Sequence, residues 1–184
     1  MTDLSRRTFV LGAGAMPLAA CNNGIGSNGA STIDARVAST TDFMFRTYPG
    51  TQDLASKAAG LLVMPLITEV GLGFGGSFGT GALQIQGSTV DYYSAAAGSA
   101  GLQIGAQQYS HVLFFMTPEA LAEFRASPGW AVGADVTYAF NDQGDMLRAD
   151  TTTSLNPVIA VVFAQTGLQL GATLEGVKYT RIIP

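Results

Sequence analysis

Val70-Gly71-Leu72-Gly73-Phe74-Gly75-Gly76-Ser77-Phe78-Gly79-Thr80-Gly81-Ala82-Leu83-Gln84-Ile85 is the stretch on which the reading of the fold turns. Gly71, Gly73 and Gly75 alternate with Leu72 and Phe74. In a strand, alternate residues share a face, so the glycines lie on one side and the large residues on the other. A bare glycine face marks strong bending or the close approach of another backbone. Working outward, Leu61-Leu62-Val63-Met64 is a short apolar run that Pro65 is expected to stop, and Gly101 to Gln107 repeats the glycine-aliphatic style. Val112-Leu113-Phe114-Phe115-Met116 reads as a buried strand. Val132, Ala134, Val136, Tyr138 and Phe140 alternate as a half-buried strand does. Asn141-Asp142-Gln143-Gly144 reads as a turn, and Val158 to Ala164 and Gly167 to Leu174 as two more strands. Short strands without intervening helices imply an antiparallel sheet. The expected class is α+β: a curved, glycine-rich antiparallel sheet, barrel-like in its bending, with N-terminal helices and one short helix near 118–127.

Ser31 to Tyr48 reads as a helix, with Ser31 or Thr32 as N-cap, Asp34 in the first turn, and Ile33, Val37, Met44 and Phe45 on one face. Thr51 to Ala59 reads as a second helix, with Leu54, Ala55 and Ala58 at helical spacing and Gly60 as its stop. Thr117-Pro118-Glu119 gives a cap, a proline at the first helical position and an acid in the first turn.

Composition narrows the function. The chain has 184 residues, enough for one domain with a real core. Only 12% of residues are charged, about half the usual share, and 23 are glycine. The formal net charge of −4 excludes a strongly basic nucleic-acid binder. One cysteine and one histidine exclude a zinc cluster and a disulfide framework.

The first twenty residues read as a signal peptide. Arg6 and Arg7 form a positive region, and Thr8 to Ala20 is uncharged and mostly apolar. As a helix this stretch rises only about 20 Å, too short for a bilayer core of about 30 Å. Ser5-Arg6-Arg7-Thr8-Phe9-Val10 is similar to a twin-arginine export signal, and Leu18-Ala19-Ala20-Cys21 to a bacterial lipobox. Cys21 is then the expected lipidation site, and acyl chains there give a stable anchor. Asn22 is compatible with outer-membrane sorting. The expected organisation is a signal peptide at 1–20, a lipidated tether at 21–30 and one domain at 31–184. Losing Asp3, Arg6 and Arg7 leaves 7 basic and 12 acidic residues, net −5. The expected location is the bacterial envelope, facing the periplasm.

Several motifs fail on chemistry. Gly71 to Gly76 matches G-x-G-x-x-G, but a dinucleotide site needs that string to join a strand to a helix, and here a strand-like stretch follows. Asp91 stands at the acid's distance but after a turn-like Gly87-Ser88. His111 lacks a nucleophile elbow and reads as a structural or surface histidine; with Asp91, Asp135 and Glu175 it is the little that an enzyme reading has to offer. Asp142 to Asp145 lacks the calcium-loop spacing. Trp130 reads as packed at a strand start or as an interfacial anchor. No catalytic, cofactor or metal residues are expected.

Lys57 to Pro65 followed by Gly71 to Leu83, Gly101 to Gln107 with Val112-Leu113, Gly133 to Val136, and Gly167 to Gly176 occur in an order that resembles the SYLF domain family. The resemblance spans about Ser31 to the C-terminus. It implies a non-catalytic lipid-binding module; eukaryotic members bind phosphoinositides and, in yeast, actin, and their membrane contact is attributed to basic residues and an amphipathic N-terminal helix. Bacterial relatives are often envelope lipoproteins. This chain departs from that pattern: between Ser31 and Ala58 the acids Asp34, Asp42 and Asp53 balance Arg36, Arg46 and Lys57. Those three cations are the candidate headgroup contacts, with solvated helix charges as the competing reading. The expected function is a lipid-anchored envelope protein that binds phospholipid or another apolar ligand. The alternative is a structural or protein-interaction module, using its sheet as a partner or homo-oligomer surface.

Overall fold

One long hairpin carries most of the sheet. The computed structural model describes residues 28–132, 136–138, 156–166, 174 and 176–184. Strand β1 (Gly60–Ile85) pairs antiparallel with β2 (Ser88–Phe115) along nearly its whole length. Gln86 and Gly87 join them, with φ of 51° and 77°. Two consecutive positive φ values are the signature of a type I′ turn, whose twist matches that of the flanking strands. Glycine takes the second position without strain; Gln86 does not have that freedom.

A flat hairpin of this length would be unstable alone. This one folds back on itself. A Cβ on Gly79 would collide with the Leu66 carbonyl oxygen, and one on Gly81 with that of Val63. Gly60 likewise sits 3.3 Å, measured from such a Cβ, from the Gln84 carbonyl oxygen. The far half of β1 therefore crosses its own near half, backbone on backbone. The sequence places a bare glycine face here; the closest approach falls at Gly79 and Gly81, further along the same face as Gly71, Gly73 and Gly75.

Bulges assist the bend. Register shifts fall between Met64 and Ile67, Leu72 and Gly73, and Leu83 and Gln84. Pro65 does not stop the strand, contrary to expectation. It lies in the first bulge, where its missing N–H leaves no ladder bond broken. The Ser110 hydroxyl donates to the Pro65 carbonyl at 2.7 Å, which satisfies this buried acceptor.

Bending lets β2 serve two partners on its other edge. Residues 108–115 pair with β5 (Val158–Thr166), and residues 92–96 with β6 (Lys178–Ile182), both antiparallel. Strand β3 (Trp130–Ala131) pairs with β6, and β4 (Val136–Tyr138) pairs with β5. The result is a strongly curled sheet of α+β class. The β4–β5 pairing is parallel, because alternation fixes which face a residue occupies but not the direction of its neighbour. The nine-residue alternation from Val132 yields only Val136–Tyr138 as strand within the described residues, and Val132 itself is buried outside any strand. The expected strand at 167–174 and turn at 141–144 lie outside the described residues, apart from Leu174, which is buried and not in a strand.

Helix α1 (Gly29–Thr47) and α2 (Gly50–Lys57) cover the outer face of the sheet. Ile33, Val37, Met44 and Leu54 bury against Val63, Val112, Phe114 and Ile159. Each such side chain contributes about 1.5–3 kcal/mol. Ser31 and Thr32 are not caps: the helix begins earlier, and both hydroxyls donate back to the Asn28 carbonyl. Asp34 accepts from Thr89 (2.9 Å) and Tyr92 (2.8 Å), tying α1 to the hairpin tip. Gly60 opens β1 and does not cap α2, which ends at Lys57. Helix α3 (Pro118–Ala126) starts as expected, with Thr117 Oγ1 accepting from the Ala120 N–H at 3.2 Å. It closes the inner face, where Phe124 stacks among Tyr93, Phe115, Trp130 and Tyr179. Trp130 thus packs at a strand start, one of the two readings its sequence position allows.

The crossing makes a sharp prediction. Gly81→Ala forces a methyl group into the Val63 backbone and should lower stability by about 1–3 kcal/mol, the usual cost of overpacking. Gly98→Ala, with open space around it, should be near neutral. Urea denaturation of both variants distinguishes a crossing held by backbone contact from one that merely tolerates glycine.

Candidate functional site

The outer face of β1 is not covered along its whole length. Val70, Phe74 and Phe78 lie on the face opposite the glycines, and are 54%, 85% and 59% exposed. Their register partners on β2 are small: Ala106, Ala100 and Ala96. Large apolar side chains left exposed along one strand face mark a candidate interaction site. The alternation of Gly with Leu and Phe contained the signal for this stripe. Once one face is used up by the backbone crossing, the aromatic residues must occupy the other.

The expected headgroup contacts are arranged differently. Arg46 pairs with Asp42 on α1, and Lys57 with Asp53 on α2 at 3.1 Å, each to an acid four residues earlier. Arg36 is exposed on α1. Exposed pairs of this kind contribute about 0.3–0.5 kcal/mol to a helix and leave little net field to attract an anion. Asp91 receives Arg125 at 3.2 Å and Arg181 at 3.5 Å, and so braces α3 and β6 against the hairpin. The G-x-G-x-x-G string lies within β1, with no helix following it. Among the described residues no group of three or more His, Cys, Asp or Glu side chains gathers to hold a metal, and no helix is long and apolar enough to cross a membrane. Cys21, Arg6, Arg7, Asp135 and Glu175 lie outside the described residues.

His111 is fully buried on the inner face of β2. Its Nε2 lies 2.7 Å from the Tyr179 hydroxyl on β6, while Nδ1 has no partner. Hiding an unpaired lone pair costs less than hiding an unpaired N–H, so the favoured tautomer donates from Nε2 to Tyr179. Burial lowers the imidazole pKa from 6.5 to about 3. The group is a neutral clamp between two strands, which fits the structural reading of this histidine.

The family model described as Ysc84, Las17-binding protein actin regulator, matches residues 96–181. Over these residues the chain is similar to that family, which is consistent with the SYLF resemblance of its motifs. The matched segment starts within β2 and ends within β6, so His111 and Tyr179 join its opening and closing strands. Val70, Phe74, Phe78 and both N-terminal helices precede it. Comparison with curated proteins gives no match.

The neutral clamp should leave a pH signature. The unfolded chain takes up a proton on His111 below about pH 6.5, whereas the folded chain does not until pH falls to about 3. Stability from this group is therefore complete above pH 6.5 and is lost as pH falls toward 3, by about 1.4 kcal/mol per pH unit. Denaturation curves of the parent and His111→Gln should diverge over that window. Tyr179→Phe should lose about 1–2 kcal/mol at neutral pH while keeping the acid dependence.

Proposed function

We propose that this protein is a lipid-anchored component of a bacterial cell envelope whose SYLF-type domain rests on and binds a phospholipid surface, without catalysis. The observation that carries this reading is the exposed stripe of Val70, Phe74 and Phe78. Its context supports it. SYLF domains are known for lipid binding. The lipobox at Cys21 lies seven residues before Asn28, the first described residue, and a seven-residue chain reaches about 25 Å at most. An anchor at Cys21 would hold the domain against the bilayer at high effective concentration. Export directed by Arg6 and Arg7 would deliver it to the periplasmic side.

The physics of contact is then hydrophobic and not electrostatic. Each phenylalanine moved from water into an apolar phase contributes about 1.5–3 kcal/mol. The net charge of −5 after signal removal and the internally paired Arg46 and Lys57 give no attraction to anionic headgroups. The second reading, a protein-interaction module, is favoured by the matched family's description as a Las17-binding actin regulator. A crosslinked partner in stoichiometric amount, with no co-purified lipid, would favour it.

A signal-less Cys21→Ala protein should still float with zwitterionic phospholipid vesicles. Binding should persist in about 0.5 M salt, where surface electrostatics are screened. Phe74→Ser/Phe78→Ser should weaken binding by about tenfold or more without loss of fold. Absence of flotation in the parent protein sinks the surface-binding claim. For the anchor, globomycin-sensitive processing and mass spectrometry of the native protein should report diacylglycerol on Cys21.

A further inference from the structure

Helices α1 and α2 leave a cleft between themselves and the two ends of β1. It encloses about 750 Å³ and reaches the hairpin turn at Gln86 and Gly87. Volumes of this size suit a small-molecule ligand. Its walls are aliphatic and aromatic: Ala38 and Phe45 from α1, Ala55 from α2, and Leu61 from β1. All but Ala38 also pack against the outer core, so the walls are held in place.

Thr41 also lines this cleft, and its Oγ1 is hidden from solvent with no hydrogen-bond partner. Buried hydroxyls are nearly always bonded, and a helical threonine usually bonds the carbonyl three or four residues back. This one does neither; a turn about χ1 would exchange it with the side-chain methyl group and bring the hydroxyl from beneath the cleft wall to a guest, where its bonding capacity can be met. The remaining polar lining is uncharged, from Gln52, Ser56, Gln84 and Gln86, save for Asp42, which Arg46 already engages. Among the described residues no lysine or arginine lines the cleft, so a phosphate or carboxylate would enter without a counter-charge from them.

We infer that this cleft binds an uncharged, single-chain amphiphile with a hydroxylated head, of the monoacylglycerol type, with its hydrocarbon on the Ala38–Phe45–Leu61 wall and a hydroxyl on Thr41. The inference deepens the lipid reading in its choice of ligand class, but the cleft and the Val70–Phe74–Phe78 stripe are separate surfaces. It also lies wholly before residue 96, outside the matched family segment.

The probe is monodecanoylglycerol, soluble without vesicles, titrated calorimetrically into the signal-less Cys21→Ala protein, with decanoate as the anionic control. Monodecanoylglycerol should bind saturably, and decanoate about tenfold more weakly or worse. Ala38→Trp fills the cleft from an exposed helix position and should weaken the neutral ligand by about tenfold while leaving vesicle flotation unchanged. Thr41→Val should also weaken it, and should raise the thermal midpoint because the orphan hydroxyl is gone. Absence of saturable binding in the parent, undiminished binding in Ala38→Trp, or preference for decanoate overturns the inference. A protein that floats with vesicles but ignores monodecanoylglycerol refutes the cleft and keeps the surface reading; the opposite pair of results does the reverse.

Discussion

The contact between one half of β1 and the other, made through Gly79 and Gly81, is the constraint on which the rest of the structure depends. Backbone can lie on backbone only where no side chain intervenes. Once the strand crosses itself, the hairpin has an inside and an outside. The inside takes α3 and the aromatic cluster around Phe124; the outside takes α1 and α2. The same bend turns two separate lengths of β2 toward β5 and β6. A straight hairpin would keep its two ends apart and could not close around the inner core.

Much of this was legible in the residues. Three helices, the buried run Val112–Phe115, the Val158 strand and the glycine face all follow from periodicity and composition. What escaped was governed by contacts remote in sequence. Pro65 looks like a terminator because its missing N–H breaks a ladder, yet Ser110, forty-five residues away, makes a bulge habitable there. Ser31 and Thr32 look like caps, but the helix starts before them. His111 reveals no partner in sequence because Tyr179 arrives from the far end of the chain. For the site, the balance of acids and bases in the two helices is visible in the sequence, and the structure pairs Arg46 with Asp42 and Lys57 with Asp53. It named the large face of β1 without showing that this face is uncovered, since exposure depends on where α1 comes to rest.

The functional features divide along the chain in the same way. The matched segment supplies the clamp and shares the inner core with β1, whereas the stripe and the cleft belong to the residues before it. One part holds the shape, and the other carries the apolar surfaces on which the proposed lipid contacts rest. The low charge of the chain accords with that proposal, since contact through apolar area has little use for a strong field.

The position of β6 has a consequence for biosynthesis. It lies between β2 and β3 and carries Tyr179 into the centre of the inner core. During translation it emerges after every element it pairs with. Until then the aromatic cluster of Tyr93, Phe115 and Phe124 lacks Tyr179, and the edge of β2 at residues 92–96 stands open. That interval is when a neighbouring nascent chain can compete for the edge. Chaperone dependence in this protein should therefore concentrate on the wait for its closing strand, not on the hairpin, whose partners are adjacent in sequence and can zip from the Gln86–Gly87 turn.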